Sequence, residues 1–72
     1  MNLYDLKVSS NCEIGNIPEI PLLSSIGVRK GIRVEVVSKQ PFSGPIVIKI
    51  AKRNIAIAKE IANKIKVKEV AV

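Results

Sequence analysis

Hydrophobic and polar residues alternate over short stretches along most of this chain. From residue 32 the sequence IRVEVVSK places Ile32, Val34 and Val36 on one face and charged residues on the other. The stretch PIVIKI repeats this period of two at Ile46, Ile48 and Ile50, and IKVKEV repeats it at Ile65 and Val67. Together with CEIGNI, which contains Gly15 and is followed by Pro18, and with IAIA, they predict about five short strands.

One segment before the second strand predicts a short helix. Proline is tolerated at a helix start and excluded from its interior, so LLSSI after Pro21 fits one or two helical turns. We expect Leu22, Leu23 and Ile26 on one side of this helix. Gly27 stands where a glycine in the left-handed conformation ends a helix.

Turns and a second helical segment complete the pattern. The stretch VRKG predicts a tight turn that ends at Gly31 and leads into the strand. The segment from Gly27 to Gly31 lacks the lysine and hydroxyl residue of a phosphate-binding loop. Both glycines are therefore explained by the helix end and the turn alone. The link AKRN joins PIVIKI to IAIA as a hairpin. In AKEIANKI, the four-residue spacing of Ile57, Ile61 and Ile65 predicts one or two helical turns.

Composition agrees with a β-rich fold. The 72 residues include 12 isoleucines and 9 valines, which favour a pleated, half-buried surface. The length corresponds to one domain, residues 1–72. We therefore predict an all-β fold with small α content, as a partly open β-barrel of about five strands with one or two short helical turns. The C-terminal residues AV are expected to fray.

The formal net charge of +6 is unevenly distributed. Residues 1–28 carry one basic and three acidic side chains, whereas residues 29–72 carry eleven basic and three acidic ones. A basic portion of this kind fits an acidic protein surface, nucleic acid or anionic lipid as partner. Lysines that alternate outward from strands also keep a small domain soluble, which is an equally good explanation of the charge.

Candidate catalytic and metal-binding chemistry is sparse. The chain has no histidine, the commonest general base, and its one cysteine, Cys12, has no histidine partner. We expect Cys12 to be a small apolar side chain that is buried or half-buried. Ferrous iron sites usually draw on histidine and carboxylate ligands. Because the chain has no histidine, only six acidic residues and a positive net charge, we expect no iron site, and no cofactor is expected either. The sequence also shows no secretion signal and no membrane-spanning stretch, which predicts a cytoplasmic protein.

The stretch LLSSIGVRKGIRVEVVSKQPFSGPIVIKI resembles the central part of the FeoA family of ferrous-iron transport proteins. Leu22, Leu23, Gly27, Val28 and Gly31 fall on its pattern of two leucines, a glycine and a turn ending in glycine. The opening LYDLKVSS and the closing IAIAKEIANKIKV are similar to the family as well. The chain departs from the usual family residues at five positions: Pro21, Lys52, Arg53, Ala58 and Ile61.

The resemblance implies an SH3-like barrel and an accessory, non-enzymatic role in ferrous-iron uptake. FeoA-like proteins are thought to act on the cytoplasmic part of the FeoB-type iron permease, and a similar domain serves as a contact module in iron-dependent repressors. The predicted contact residues lie in the helical turn and its following loop: Leu22, Leu23, Ile26, Val28, Arg29 and Lys30.

Two alternatives stand beside this expectation. Leu22, Leu23 and Ile26 could simply plug one end of the barrel. A small basic SH3-like module could also bind nucleic acid, although only Tyr4 and Phe42 are available to stack on bases. No specific nucleic acid is expected. No membrane insertion is expected either, because no long amphipathic helix carries the basic residues.

Overall fold

The computed structural model describes residues 1–70 of the chain. Within them lie five β-strands, two short α-helices and one 3-10 helix at Leu3–Asp5. The strands are β1 (Asn11–Asn16), β2 (Arg33–Lys39), β3 (Ile46–Ile50), β4 (Arg53–Ile57) and β5 (Lys66–Glu69). The helices are α1 (Pro21–Ser25) and α2 (Lys59–Ala62). The predicted element types are confirmed, whereas the predicted frayed tail lies outside the described residues.

All five strands form one antiparallel sheet in the order β4-β3-β2-β1-β5. The register shifts between Ile14 and Asn16 in β1 and between Val36 and Ser38 in β2. Irregularities of this kind bend a strand and increase its twist, so they curl the sheet around its core. Within residues 1–70 the edge strands β4 and β5 are not paired with each other, and the barrel is partly open, as predicted.

The N-terminal segment covers the outer edge of β5. The Leu3 N–H donates to the Ile65 carbonyl and the Val67 N–H donates to the Met1 carbonyl, each at 2.9 Å. Asn2 forms a bridge with Lys66, whose Nζ also donates to Asn2 Oδ1 at 2.8 Å. These bonds satisfy backbone groups that a bare strand edge would leave open to another chain.

The predicted alternation of buried and exposed residues is confirmed in β2, β3 and β5. Val34 and Val36 are buried, while Arg33 and Glu35 between and beside them are exposed. No buried residue of the described chain is polar or charged. The core consists of fifteen side chains: Leu3, Leu6, Cys12, Ile14, Leu23, Val28, Val34, Val36, Ile46, Ile48, Ile50, Ile57, Ala62, Ile65 and Val67.

The two helices have the predicted length of one or two turns, but α1 faces the core differently than predicted. Leu22 is 55% exposed although Leu23 is only 1% exposed, because neighbouring residues on a helix point about 100° apart. The expected single apolar side of α1 is therefore wrong for Leu22. In α2 the buried residue is Ala62, and Ile61 is half-buried. The four-residue isoleucine spacing that predicted this helix runs across separate elements, since Ile57 belongs to β4 and Ile65 follows α2.

The hairpin between β3 and β4 has a shorter link than predicted. Ile50 pairs with Arg53, so the link contains only Ala51 and Lys52 rather than all of AKRN. Arg53 and Asn54 are polar and exposed, yet they belong to β4. Ala51 adopts a φ of +56°, in the range that two-residue hairpin turns require. Exposed strand residues cannot be told from turn residues by polarity alone.

Candidate protein-contact site

Helix α1 ends in a Schellman motif that fixes the direction of the following chain. Gly27 has a φ of +93°, which confirms the predicted left-handed glycine. Its N–H donates to the Ser24 carbonyl at 3.1 Å, and the Val28 N–H donates to the Leu23 carbonyl at 2.8 Å. Both Leu23 and Val28 are buried, and an apolar contact between these two positions commonly accompanies the motif.

A tight turn follows and presents the two basic residues. The Ile32 N–H donates to the Arg29 carbonyl at 3.4 Å, and Gly31 has a φ of +92°, as a type II turn requires at its third residue. The Gly31 N–H donates to the Ile14 carbonyl at 2.7 Å, and the Ile14 N–H donates to the Ile32 carbonyl at 2.8 Å. The turn is thus tied to β1, and it projects the exposed side chains of Arg29 and Lys30 from a fixed backbone.

The six residues predicted to contact a partner divide into two groups by burial. Leu23 and Val28 lie in the core, where no partner reaches them while the domain is folded. The exposed or half-buried members are next to them in sequence, and we call them the α1 surface: Leu22, Ile26, Arg29 and Lys30. Of the six predicted residues, these four are exposed or half-buried in the structure, and Leu22 is the exposed apolar side chain among them.

A groove of about 430 Å³ lies at the start of the same helix. Its lining is mostly apolar and comes from the link between β1 and α1 and from the first turn of α1: Ile17, Pro18, Glu19, Ile20, Pro21 and Ser24. Pro18 and Pro21 lack backbone N–H donors. The sequence predicts no groove here, since apolar residues of irregular spacing indicate no particular surface feature.

Arg53, in the edge strand β4, also contacts the end of α1. Its Nη2 donates to the Ile26 carbonyl at 3.3 Å, across 27 residues of sequence. Carbonyl groups at a helix C-terminus have no partner within the helix, so this bond satisfies one of them. A Cβ added at Gly27 would lie 3.0 Å from the same nitrogen. Sequence reasoning placed Arg53 in a loop and missed this role, which only the tertiary fold creates.

Cys12 offers no nucleophile. It is buried in the core, and this burial, with a further contribution from the negative charge of Glu69, raises the pKa of its thiol to about 11. The thiol is protonated at neutral pH, and the thiolate is the reactive form. The expectation that Cys12 is a small buried side chain is confirmed.

The described part of the chain contains no cluster suited to a metal ion. In residues 1–70, cysteine and acidic side chains nowhere gather in a group of three or more. No helix within the same residues has the length and apolar character needed to cross a bilayer.

Comparison with known proteins places these features in a family. The FeoA domain family matches residues 1–69. The crystal structure of an iron uptake regulatory protein, FeoA, superimposes with a TM-score of 0.87 at 25% identity, covering 97% of this chain and 96% of that chain. For the iron(II) transport protein A of Clostridium thermocellum the TM-score is 0.89 at 32% identity, covering 97% of this chain and 46% of that chain.

A third structure has a lower identity and supports the fold. The FeoA of Stenotrophomonas maltophilia, solved with zinc and described as a prokaryotic SH3 domain protein, has a TM-score of 0.79 at 20% identity. The match covers 94% of this chain and 89% of that chain. No curated protein sequence matches this chain significantly.

The curled five-stranded sheet and the short helices define the chain as a small SH3-like domain. This is the fold class that its sequence predicts. The chain belongs to the FeoA family of small proteins associated with ferrous-iron transport. The resemblance carried by LLSSIGVRKG and its flanking stretches is thereby confirmed.

Proposed function

We propose that this protein is a non-enzymatic regulator of ferrous-iron uptake that works in the cytoplasm by binding the cytoplasmic part of a FeoB-type permease. The observation that carries the proposal is the α1 surface. It holds an exposed leucine in α1 and two exposed basic residues in the turn that follows, on a backbone fixed by two glycine turns. Membership of the FeoA family supplies the transport context.

The α1 surface has the composition of a protein-binding patch. Interface centres are apolar and their rims are polar, and arginine is enriched among the residues that dominate binding energy. Leu22 supplies an apolar centre, and Arg29 and Lys30 supply charge that speeds association with an acidic partner. Because the turn is already bonded to β1 through Ile14 and Gly31, little backbone ordering is needed on binding.

Ferrous iron is, in this proposal, the cargo of the partner rather than a ligand of this chain. Residues 1–70 hold no group of three potential ligands, and the net charge of +6 repels a divalent cation. Anaerobic calorimetry with Fe²⁺ tests this point directly. One tightly bound Fe²⁺ per chain would contradict a regulator that acts only by protein contact.

Nucleic-acid binding is the second candidate, and the basic charge of residues 29–72 favours it. The aromatic residues do not add to this case. The Tyr4 ring lies below the ammonium groups of Lys39 and Lys59, whose Nζ atoms are 5.0 and 5.8 Å from its centroid. Only Phe42 remains to stack on a base, whereas single-strand binders stack successive bases on several rings.

Fluorescence anisotropy with the permease cytoplasmic domain, beside short RNA and DNA, separates the two candidates. We expect permease binding to persist at physiological salt, because an apolar contact is not screened. Nucleic-acid binding should be weak and should vanish there, since phosphate contacts release counterions. Submicromolar RNA binding at physiological salt, with no response to the permease domain, would reverse this ranking.

A charge-matched pair of variants locates the contact. Arg29→Glu with Lys30→Glu should weaken permease binding at least tenfold, an effect on the order expected for two interface charges. Lys7→Glu with Lys64→Glu is the control, because both lysines are exposed and outside the α1 surface. Each double variant lowers the formal net charge from +6 to +2. Equal losses in both would show that net charge, rather than the α1 surface, drives binding.

A further inference from the structure

The loop between β2 and β3 exposes the one phenylalanine of the chain. Phe42 is 99% exposed, far more than any other large apolar residue of residues 1–70. It stands at the tip of residues 40–45, which we call the Phe42 loop. Phe42 and Ser43 have φ values of +59° and +64°, a conformation that side chains other than glycine rarely adopt. The loop therefore directs a large apolar ring into water by means of an unfavourable backbone.

This conformation is held by specific contacts. The Gln40 N–H donates to the Pro45 carbonyl at 3.1 Å and the Gly44 N–H donates to the Pro41 carbonyl at 3.3 Å, which closes the loop on itself. The Tyr4 hydroxyl donates to the Gly44 carbonyl at 2.8 Å and ties the loop to the N-terminal 3-10 helix. The phenylalanine is thus presented by a built loop rather than left on a loose one.

Two lysines stand at the base of the same loop. The Lys59 Nζ donates to Ser43 Oγ at 3.1 Å, and Lys39 ends the strand from which the loop departs. Both ammonium groups lie within 6 Å of the Tyr4 ring centroid, as cation–π contacts do. The ring and the hydroxyl carry no full negative charge, so these contacts leave both lysines able to attract an anionic surface.

We propose that the Phe42 loop is a peripheral contact with anionic lipid, in which Phe42 enters the headgroup boundary and Lys39 and Lys59 face the lipid charges. An apolar ring beside basic side chains is the composition of segments that lie in a membrane interface. No long amphipathic helix lies within residues 1–70, and a loop tip reaches the interface without one. Charge complementarity selects anionic over zwitterionic lipid.

Lipid suits this loop better than the other surfaces that attract lysine. A protein pocket must match the shape of a protruding ring, whereas a bilayer accepts it without shape complementarity. Nucleic acid would use the Tyr4 face for a second base, and that face holds the two ammonium groups. The inference does not rest on the permease contact, since the α1 surface and the Phe42 loop share no residue.

Tryptophan fluorescence tests the proposal, because the chain contains no tryptophan. Phe42→Trp places a single reporter at the loop tip. We expect its emission to shift to the blue with vesicles of equal parts phosphatidylcholine and phosphatidylglycerol, and not with phosphatidylcholine alone. Leu22→Trp is the matched control, an exposed apolar position in the α1 surface whose emission should not respond to vesicles. It should respond to the permease domain, so each proposal has its own reporter.

Sedimentation with the same vesicles measures the strength of the contact in the unlabelled protein. Lys39→Gln with Lys59→Gln should lower the partition coefficient roughly fivefold for each lysine removed, and Phe42→Ser should lower it further at unchanged charge. Circular dichroism confirms that each variant is folded. The absence of both the blue shift and sedimentation overturns the proposal. So does a Phe42→Trp reporter that responds to RNA or to the permease domain but not to lipid.

Discussion

The two connections that flank β2 are built in different ways. The connection before β2 is anchored in the core by Leu23 and Val28, and its two positive φ angles fall on Gly27 and Gly31. The Phe42 loop after β2 buries no side chain completely, and its positive φ angles fall on a phenylalanine and a serine. The first connection thus has buried anchors of its own, beside its bonds to Ile14 and Arg53. The second has no buried anchor, and the side chains of Tyr4 and Lys59 add to its two internal backbone hydrogen bonds.

This difference shows how each connection is encoded. The first has an apolar anchor, a helix-ending glycine and a turn glycine within about ten consecutive residues. The second is held in place by contacts from Tyr4, 40 residues away from Gly44, and from Lys59, 16 residues away from Ser43. The first connection, with its buried anchors, is expected to depend less on distant side chains, whereas the Phe42 loop is expected to respond to changes in Tyr4.

The largest effect is expected where the first connection enters the core. Leu23→Ala removes a side chain that is 1% exposed and should lower the free energy of unfolding by about 2–5 kcal/mol. That is a large share of the stability of a small domain. Urea unfolding measures the loss. A Leu23→Ala variant that is substantially unfolded even without urea would also agree with this prediction.

The neighbouring leucine is the control. Leu22→Ala truncates a side chain that is 55% exposed, so its cost should stay within about 0.5 kcal/mol. Its effect should appear in permease binding instead. Equal unfolding costs for Leu22→Ala and Leu23→Ala would contradict the division of the two leucines between surface and core.

Much of the fold follows from the order of residues along the chain. The alternation of valine and isoleucine predicts β2, β3 and β5 because each buries one face, and Gly27 marks the end of α1 because few other residues adopt its φ. The division of Leu22 from Leu23 is not predictable in the same way. A five-residue helix has too few apolar positions to define a face. Which side of α1 turns inward is therefore set by the core into which Leu23 packs.

The residues of the candidate surfaces also differ in whether the sequence predicts their position. Arg29 and Lys30 are predictable as exposed residues, because they lie in a turn between two glycines. The contact of Arg53 with Ile26 is not, since polar residues at a hairpin carry no information about a helix end 27 residues away. The exposure of Phe42 is also not predictable, because an isolated phenylalanine among prolines and glycine is as consistent with burial as with exposure.

A smaller effect is expected from the first connection's glycine. Gly27→Val forces a β-branched residue to a φ of +93° and should cost about 1–3 kcal/mol in urea unfolding. The new Cβ also meets Arg53 Nη2 at 3.0 Å. Gly31→Val isolates the backbone contribution, since its φ is +92° and no atom lies within 4 Å of the added Cβ. Gly27→Val should therefore cost at least as much as Gly31→Val, and the reverse order would remove the role given to Arg53.

The smallest effect in unfolding is expected from Tyr4→Phe. The change deletes only the hydroxyl that donates to the Gly44 carbonyl at 2.8 Å, and an intramolecular hydrogen bond of this kind contributes about 0.5–1.5 kcal/mol. Its local effect should be larger. Amide hydrogen exchange at Gln40 and Gly44 should accelerate, because their bonds close the loop that Tyr4 holds. Exchange at Gly31, whose N–H is bonded to Ile14, should not change beyond the global loss of stability. If Gln40 and Gly44 exchange no faster than Gly31 after the substitution, the Phe42 loop depends no more on distant side chains than the connection before β2 does, and the contrast between the two is wrong.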